Sequence, residues 1–289
     1  SGGRPPVAVQ VAKPAYEPIQ DIHTFTGSVY PMNQYVVAPK VSGRVIEIRK
    51  RIGDPVRKGE VIARIDDAEY QQAVLEAEAN LKIAQASLTE IQGQAELVKQ
   101  ELERVQSLRE KGISSTSELD AAVTNNTAQQ ARLKLAQAQV EQREAALNSA
   151  RIRLGYTELT APEPGLVGER FVDEGTLLSP NSPVITVVGI DRVIVRTTII
   201  ERDYGQIKVG QAATVEVDAF PNERFAGTVT RIAPMLQEAA RVAQMEVEVA
   251  NSSHTLKPGM FTRVRVVLAG NESAQVIPAA ALVVSHNEN

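Results

Sequence analysis

The feature that most constrains this sequence is a long repeat of apolar residues that is broken once, near residue 112. The first series alternates spacings of three and four without a slip: Val74, Ala77, Leu81, Ala84, Leu88, Ile91, Ala95, Val98, Leu102 and Val105. The second keeps this spacing with more polar members: Leu119, Ala122, Asn126, Gln129, Leu133, Ala136, Val140, Arg143, Leu147, Ala150 and Leu154. Such a repeat is typical of helices that pack along a narrow seam.

The break between the two series has the form of a helix end followed by a helix start. Gly112 follows a basic residue, and glycine tolerates the left-handed conformation that ends helices. Ser115 and Glu118 have the spacing of a capping box. The sequence therefore predicts an antiparallel helical hairpin with a tight turn and arms about 60 Å long. A pair of helices inside an ordinary bundle is the alternative, which the polar residues outside the seam disfavour.

The segments on either side of the predicted hairpin resemble each other. Gly43 and Gly53 precede it, Gly165 and Gly175 follow it, and ten residues separate the members of each pair. Each copy ends in an apolar, β-rich stretch, at residues 61–65 and 184–188. A chance match of two strand–turn–strand segments is the alternative. Two ordered copies favour an internal repeat whose β halves close on each other while the hairpin is inserted between them.

The chain beyond residue 191 has a different pattern. Short β-branched segments are predicted as strands at residues 193–200, 213–217, 225–232, 243–250 and 261–268, with a short helical or turn segment at 201–207. Pro258-Gly259 has the chemistry of a type II turn. Short strands at this spacing predict a small antiparallel β-barrel, and N-terminal segments near residues 7–11 and 22–29 could complete the domains that the C-terminal half builds.

Composition excludes several classes of function. A net charge of −4, from 31 basic and 35 acidic residues, gives no support for a nucleic-acid partner. Without cysteine the chain has no disulfides and no thiolate metal sites. The longest apolar runs, at residues 184–188 and 277–284, are too short to span a bilayer. We expect any targeting segment or anchor to lie upstream of Ser1.

The sequence offers little to support catalysis. His23, His254 and His286 are scattered, without clustered carboxylates, a nucleophile elbow or a phosphate-binding loop. Asp66 and Asp67 stand at the start of the first helix, where capping is a better interpretation than a metal or acid–base pair. The four methionines are widely separated. We expect no catalytic residues, no cofactor and no bound metal.

The order of these elements resembles the membrane fusion proteins, the periplasmic adaptors of tripartite efflux pumps, over nearly the whole chain. The flanking repeats resemble the lipoyl half-motifs of a barrel-sandwich hybrid, with the hairpin in place of the tight turn that would present a modified lysine. In adaptors of the resistance-nodulation-division type the hairpin tip carries an Arg-x3-Leu-x6-Ser pattern. Arg104, Leu108 and Ser115 have that spacing. The resemblance implies that these three residues contact the outer-membrane channel.

The resemblance implies a multidomain β fold with a long α-helical hairpin. The hairpin is expected to be an antiparallel coiled coil inserted in a lipoyl-like barrel-sandwich hybrid. A small antiparallel β-barrel and a partial membrane-proximal β domain follow. The predicted domains are the partial membrane-proximal domain (1–15 and 269–289), the β-barrel (16–35 and 192–268), the lipoyl-like domain (36–66 and 159–191) and the hairpin (67–158).

The function implied is that of a non-catalytic adaptor. It would link an inner-membrane transporter, most simply of the resistance-nodulation-division type, to a TolC-type outer-membrane channel for export of small toxic compounds or drugs. Self-association in the assembled pump, as a hexamer, and a periplasmic location with an N-terminal anchor are also implied. An adaptor of an ABC-type exporter or secretion system, or a structural coiled-coil protein, is the alternative. The exported substrate cannot be deduced.

Overall fold

The computed structural model describes residues 14–276, apart from the side chains of 17–19 and 269–272, and it divides into two compact units. The elements are β1 (Ala15–Val37), β2 (Gly43–Ile48), β3 (Pro55–Val56), β4 (Val61–Ile65), α1 (Ala68–Glu110), α2 (Thr116–Gly155), β5 (Glu158–Thr160), β6 (Gly165–Arg170), β7 (Leu177–Leu178), β8 (Ile185–Ile200), α3 (Glu201–Tyr204), β9 (Ala212–Val217), β10 (Phe225–Ile232), β11 (Val242–Ala250) and β12 (Phe261–Val276).

The first unit, residues 14–34 and 188–276 of the described chain, is a closed β-barrel. Its strands are neighbours in the order β1-β12-β9-β10-β11-β8, and β8 pairs back with β1 to close the ring. β-branched residues alternate along these strands, so that Val193, Val195 and Ile199 point inward and are fully buried. The barrel strands predicted from the sequence are confirmed, including the type II turn at Gly259 with its φ of +91°.

The two ends of the described chain pair with each other in this unit. β1 and β12 form an antiparallel ladder from Ser28 opposite Phe261 to Ala15 opposite Val276. This ladder continues past residue 268, the predicted C-terminal boundary of the barrel domain. Most of the predicted membrane-proximal domain, residues 1–13 and 277–289, lies outside the described residues. The division into four domains stays a prediction.

The second unit, residues 35–187, contains the predicted internal repeat. Corresponding residues of the two copies are 122 apart in the sequence, and the copies make matching contacts. Gly43 pairs with Leu178 and Gly165 pairs with Val56. The Val45 amide donates to Thr176 O at 2.9 Å, and the Gly175 amide donates to Val45 O at 2.8 Å. In the other copy, the Val167 amide donates to Asp54 O at 3.0 Å, and the Gly53 amide donates to Val167 O at 2.8 Å. Each half therefore completes the other, with approximate two-fold symmetry.

Side chains from both copies form one core in this unit. Its fully buried members include Val45, Ile62, Ile65, Val167, Leu178, Val184, Ile185 and Val187. β4 and β5 pair through Arg64 and Glu158, and the two long helices leave the core between these strands. Tyr70 fixes the base of α1 by donating its hydroxyl hydrogen to Ser42 O at 2.7 Å.

The helices α1 and α2 form the predicted hairpin, and the seam lies where the apolar repeat places it. Every residue of both series is buried or half-buried except Arg143, which is exposed. Contacts across the hairpin include an ion pair between Arg151 and Glu78 at 2.7 Å. Within residues 14–276, no helix combines the length and the apolar composition needed to cross a membrane.

Candidate interaction site at the hairpin tip

The end of α1 is held by its backbone. Gly112 has a φ of +73°, the left-handed conformation that the sequence predicted. The Gly112 amide donates to Arg109 O at 2.9 Å, and the Ile113 amide donates to Leu108 O at 3.0 Å. This pair of bonds is the Schellman arrangement, which satisfies helix-terminal carbonyls. The turn therefore has a defined backbone that fixes the position of Ile113.

The start of α2 is the predicted capping box, and the structure confirms it. The Glu118 amide donates to Ser115 Oγ at 3.2 Å, while the Ser115 amide donates to Glu118 Oε2 at 2.8 Å. The Ser114 hydroxyl donates to the same carboxylate oxygen at 2.8 Å. The bond from the Ser115 amide, followed by those of the two serine hydroxyls, holds the pKa of Glu118 below its ordinary value.

A third side chain joins the two helix ends across the turn. The Arg109 guanidinium donates through Nη1 to Ser114 O at 2.9 Å and through Nη2 to Thr116 Oγ1 at 3.0 Å. Because Arg109 lies in the last turn of α1 and Thr116 opens α2, these bonds connect both helices to the turn. These hydrogen bonds brace the tip.

The three predicted contact residues lie near one another in sequence but have different environments. The side chain of Arg104 is exposed and donates to Glu101 through Nε at 3.0 Å and Nη2 at 2.6 Å. Hydrogen bonding to Arg104 lowers the pKa of Glu101. Leu108 is half-buried and lines, with Arg104, one groove between the helices. Ser115 does not line this groove, and its hydroxyl is occupied by the cap.

Sequence reasoning missed several residues that shape this tip. Glu101 could have been found from its spacing of three from Arg104, which is typical of ion pairs on a helix. Arg109 lies three residues before Gly112, and its bonds to Ser114 and Thr116 depend on the turn geometry, so no sequence signal revealed them. Ile113 is 71% exposed. The sequence did not reveal this exposure, because an apolar residue next to Gly112 could lie either in the seam or in solvent.

The predicted capping role of the acidic pair before α1 is confirmed for Asp66 and not for Asp67. Asp67 occupies the N-cap position but makes no capping hydrogen bond with its side chain. Instead Asp66 Oδ1 accepts from the Ala68 amide at 3.2 Å. The N-cap backbone of Asp67 has a φ of −106° and a ψ of 1°, outside the extended conformation that capping side chains use.

One cluster of titratable side chains lies in the barrel unit. Asp203 Oδ2 accepts from His23 Nδ1 at 3.1 Å, and Arg202 Nε lies 3.3 Å from Asp203 Oδ1. Burial alone would raise the pKa of Asp203, but the bonds from His23 and Arg202 hold it below its ordinary value. Among residues 14–276, no three His, Asp or Glu side chains are arranged to hold a metal ion.

Two family models match the chain. A CzcB-like barrel-sandwich hybrid domain matches residues 33–189, more than half of the chain, and a CusB-like β-barrel domain matches residues 192–270. The chain belongs to the membrane fusion protein family. Both matched domains correspond to folds described above, and the two long helices lie within the first of them.

Relatives of this membrane fusion protein carry names that refer to macrolide export, multidrug resistance and nodulation. It is 29% identical to the macrolide export protein MacA of Yersinia pestis over 96% of this chain and 76% of that protein. It is 28% identical to the multidrug resistance protein MdtA of Proteus mirabilis (96% and 67%) and 27% identical to the nodulation protein NolF of Rhizobium meliloti (89% and 66%). The chain thus spans two thirds to three quarters of these relatives.

Solved structures share the fold. The MacA structure from Actinobacillus actinomycetemcomitans matches with a TM-score of 0.83 at 23% identity, covering 95% of this chain and 87% of that one. The membrane fusion protein Spr0693 from Streptococcus pneumoniae matches with a TM-score of 0.65 at 19% identity, covering 84% and 98%. At these identities the similarity concerns the fold alone.

Proposed function

We propose that this protein is a non-catalytic periplasmic adaptor that links an inner-membrane transporter to a TolC-type outer-membrane channel. The observation that carries the proposal is the hairpin itself: two helices of 43 and 40 residues inserted in a paired β repeat and ended by a braced turn. A hairpin of this length, about 60 Å, suits a spacer between two membrane proteins. The names of two relatives, a macrolide export protein and a multidrug resistance protein, support this use.

Docking to the channel is assigned to the tip, through Arg104 and Leu108, with Ser115 shaping the turn. Arg104 is exposed and can bind a partner, while Leu108 offers apolar surface beside it. An arginine held in one orientation by a carboxylate loses less side-chain entropy on docking than a free one. We also propose that the two helices form an antiparallel coiled coil. Such a rod is stiff and would hold the tip at a fixed distance from the base of the hairpin.

The transporter is proposed to be of the resistance-nodulation-division type, with small toxic compounds or drugs as the exported class. An ABC-type exporter remains the second candidate, and the similarity to macrolide export proteins is compatible with it. We also propose that the adaptor is attached to the inner membrane by an N-terminal anchor and forms a hexameric ring in the assembled pump, since one rod could not enclose a conduit.

Affinity purification tests this function. The full-length adaptor, tagged and expressed with the transporter and channel encoded in its own genome, should retain both membrane proteins after mild crosslinking. Deleting its gene should increase susceptibility to exported compounds. Recovery of an ABC-type transporter would select the second candidate. Recovery of neither membrane protein, together with unchanged susceptibility, would reject the adaptor function.

A further inference from the structure

The seam of the hairpin contains a buried polar layer. The seam residues of α1 are all apolar, but α2 contributes Asn126 and Gln129 at consecutive seam positions. Gln129 is 5% exposed, and its Nε2 donates to Gln94 Oε1 at 3.4 Å, so that the layer lies at the level of Gln94. Arg143, another polar residue of this series, is exposed instead. The layer therefore divides the hairpin into an inner segment next to the β core and an outer segment that includes the turn.

Hydrogen bonding in this layer is incomplete. Asn126 Oδ1 is buried and accepts no hydrogen bond from the residues that the structure describes. The bond between Gln129 and Gln94, at 3.4 Å, is long for one between two amide groups. A buried acceptor without a donor raises the free energy of the closed seam, and water can satisfy it once the helices separate. Opening therefore costs less free energy at this layer than at the apolar layers of the seam.

The part of α2 that carries Asn126 is also a weak helix. Residues 123–127 are Val, Thr, Asn, Asn and Thr, which all have low helix propensity. The Thr124 hydroxyl donates to Asp120 O at 2.8 Å, and the Thr127 hydroxyl donates to Val123 O at 2.9 Å. Bonds of this kind, to a carbonyl four residues earlier, slightly destabilise a helix and often bend it.

The facing helix has a weak position at the same level. Gly93 directly precedes Gln94 in the interior of α1, and it is exposed. A Cβ at this position would meet nothing within 4 Å, so that packing does not require a glycine there. Glycine in a helix interior lowers helix stability, because its backbone loses more conformational freedom on folding than that of any other residue. Both helices are thus weak where the seam is polar.

We propose that the layer of Gln94, Asn126 and Gln129 is a joint, at which the two helices separate locally and admit water while the segments on either side stay closed. The outer segment extends about 24 Å from Gln94 to the end of α1. A bend of about 20° at the joint would displace the tip sideways by about 8 Å, while the distance from tip to base would hardly change. The inference concerns the hairpin alone and does not depend on the proposed function.

Thiol labelling tests the joint in the full chain, which has no cysteine. Ala95→Cys places a thiol in the seam at the joint, and Ala136→Cys places one in the seam of the inner segment. The two alanines are matched, at 4% and 2% exposed. A thiol at either position reacts with a maleimide only when the seam opens, so that the labelling rate follows local opening. We expect Ala95→Cys to react at least tenfold faster than Ala136→Cys, and equal rates would overturn the inference.

A matched pair of substitutions shows whether the polar layer causes the opening. Asn126→Leu fills the seam with an apolar side chain, whereas Asn125→Leu makes the same change one residue away, at an exposed position. Both substitutions raise helix propensity equally. We expect only Asn126→Leu to bring the ratio of the two labelling rates close to one. An equal reduction by both substitutions would assign the opening to helix propensity and would contradict a joint built on the polar layer.

Amide hydrogen exchange of the native chain gives a readout that needs no substitution. We expect the amides of residues 94–98 and 126–130 to exchange at least tenfold faster than those of residues 84–88 and 136–140, which lie nearer the β core. Uniform protection along both helices would contradict the joint. A steady loss of protection toward the turn would show fraying from the tip and would also contradict it.

Discussion

The buried carboxylate of Asp203 gives the barrel unit a pH dependence. Asp203 is 3% exposed, and its bonds with His23 and Arg202 keep its pKa below the ordinary value of an aspartate. A group whose pKa is depressed by folding contributes stability above its unfolded pKa, and this contribution is lost as the pH falls through the folded value. Asp203→Asn should therefore lower the free energy of unfolding at pH 7, by about 1 kcal/mol.

The difference between native protein and Asp203→Asn should shrink as the pH falls below about 4, where unfolded aspartates take up protons. Urea denaturation at pH 7 and at pH 3 measures it. Asp21→Asn is the control, because Asp21 also faces His23, at 3.4 Å, but is 58% exposed. A difference for Asp203→Asn that stays constant between these pH values would show that its charge does not stabilise the fold.

The close approach at Gly43 is a second residue-scale feature. A Cβ at this position would lie 2.3 Å from Cγ2 of Ile65, which is 1% exposed in the core of the second unit. Gly43→Ala should cost about 1–3 kcal/mol, the usual effect of overpacking. Gly93→Ala is the control, since nothing lies within 4 Å of its Cβ position in α1. There alanine should stabilise by about 0.5–1 kcal/mol. A higher free energy of unfolding for Gly43→Ala than for the native protein, measured by chemical denaturation, would contradict this packing.

Hydrogen bonds between residues close together in the sequence could be predicted, and those between distant residues could not. The capping box of Ser115 and Glu118 could be predicted because its partners are three residues apart and its geometry is local. The bond between His23 and Asp203 joins residues 180 apart, so that only the folded barrel brings them together. The sequence predicted a capping role for both Asp66 and Asp67, but only Asp66 accepts such a bond, because the choice depends on backbone angles that no sequence pattern reveals.

At the scale of elements, the heptad repeat predicted the seam because burial in a helical pair follows the spacing of apolar residues. The paired glycines predicted the closing of the two β halves, since the same turns recur at the same interval. The strands of the barrel were found for the same reason, from alternation and turn chemistry. Pairing order around the barrel was not predictable, because β1 and β12 join opposite ends of the chain.

Arg143 interrupts the seam of the hairpin and offers a test of its packing. It occupies a seam position of α2 but is exposed, at a cleft that alanines line from both helices. Arg143→Leu should raise the free energy of unfolding by about 1 kcal/mol, because a leucine there can bury apolar surface against the facing helix. Arg143→Lys, which keeps the charge, should leave stability unchanged. A loss of stability in Arg143→Leu by denaturant titration would mean that the seam does not close at this level.

At the scale of the whole molecule, the proposed ring predicts a difference between the isolated adaptor and the assembled pump. The free hairpin satisfies its own apolar seam, so that self-association in dilute solution should be weak. Anchoring beside a transporter raises the effective concentration and favours the ring. We expect analytical ultracentrifugation of this chain at micromolar concentration to give mainly monomer, and crosslinking in cells with the full pump to give multimers up to six. Monomer alone in those cells would contradict the ring.

Arg104→Ala is the most direct test of the proposed binding of the tip to a channel. The Arg104 side chain is exposed and forms an ion pair on the surface with Glu101, so its removal should leave the thermal midpoint of the protein unchanged. Loss of a docking arginine should abolish efflux, because alanine cannot replace its hydrogen bonds. Lys82→Ala, on an exposed position of α1 far from the tip, is the control.

The measurement compares thermal melting with drug susceptibility for native protein, Arg104→Ala and Lys82→Ala expressed at equal levels with the transporter and channel. We expect identical melting for all three, and susceptibility equal to that of the adaptor deletion for Arg104→Ala alone. Unchanged melting with full resistance in Arg104→Ala would contradict docking through this residue.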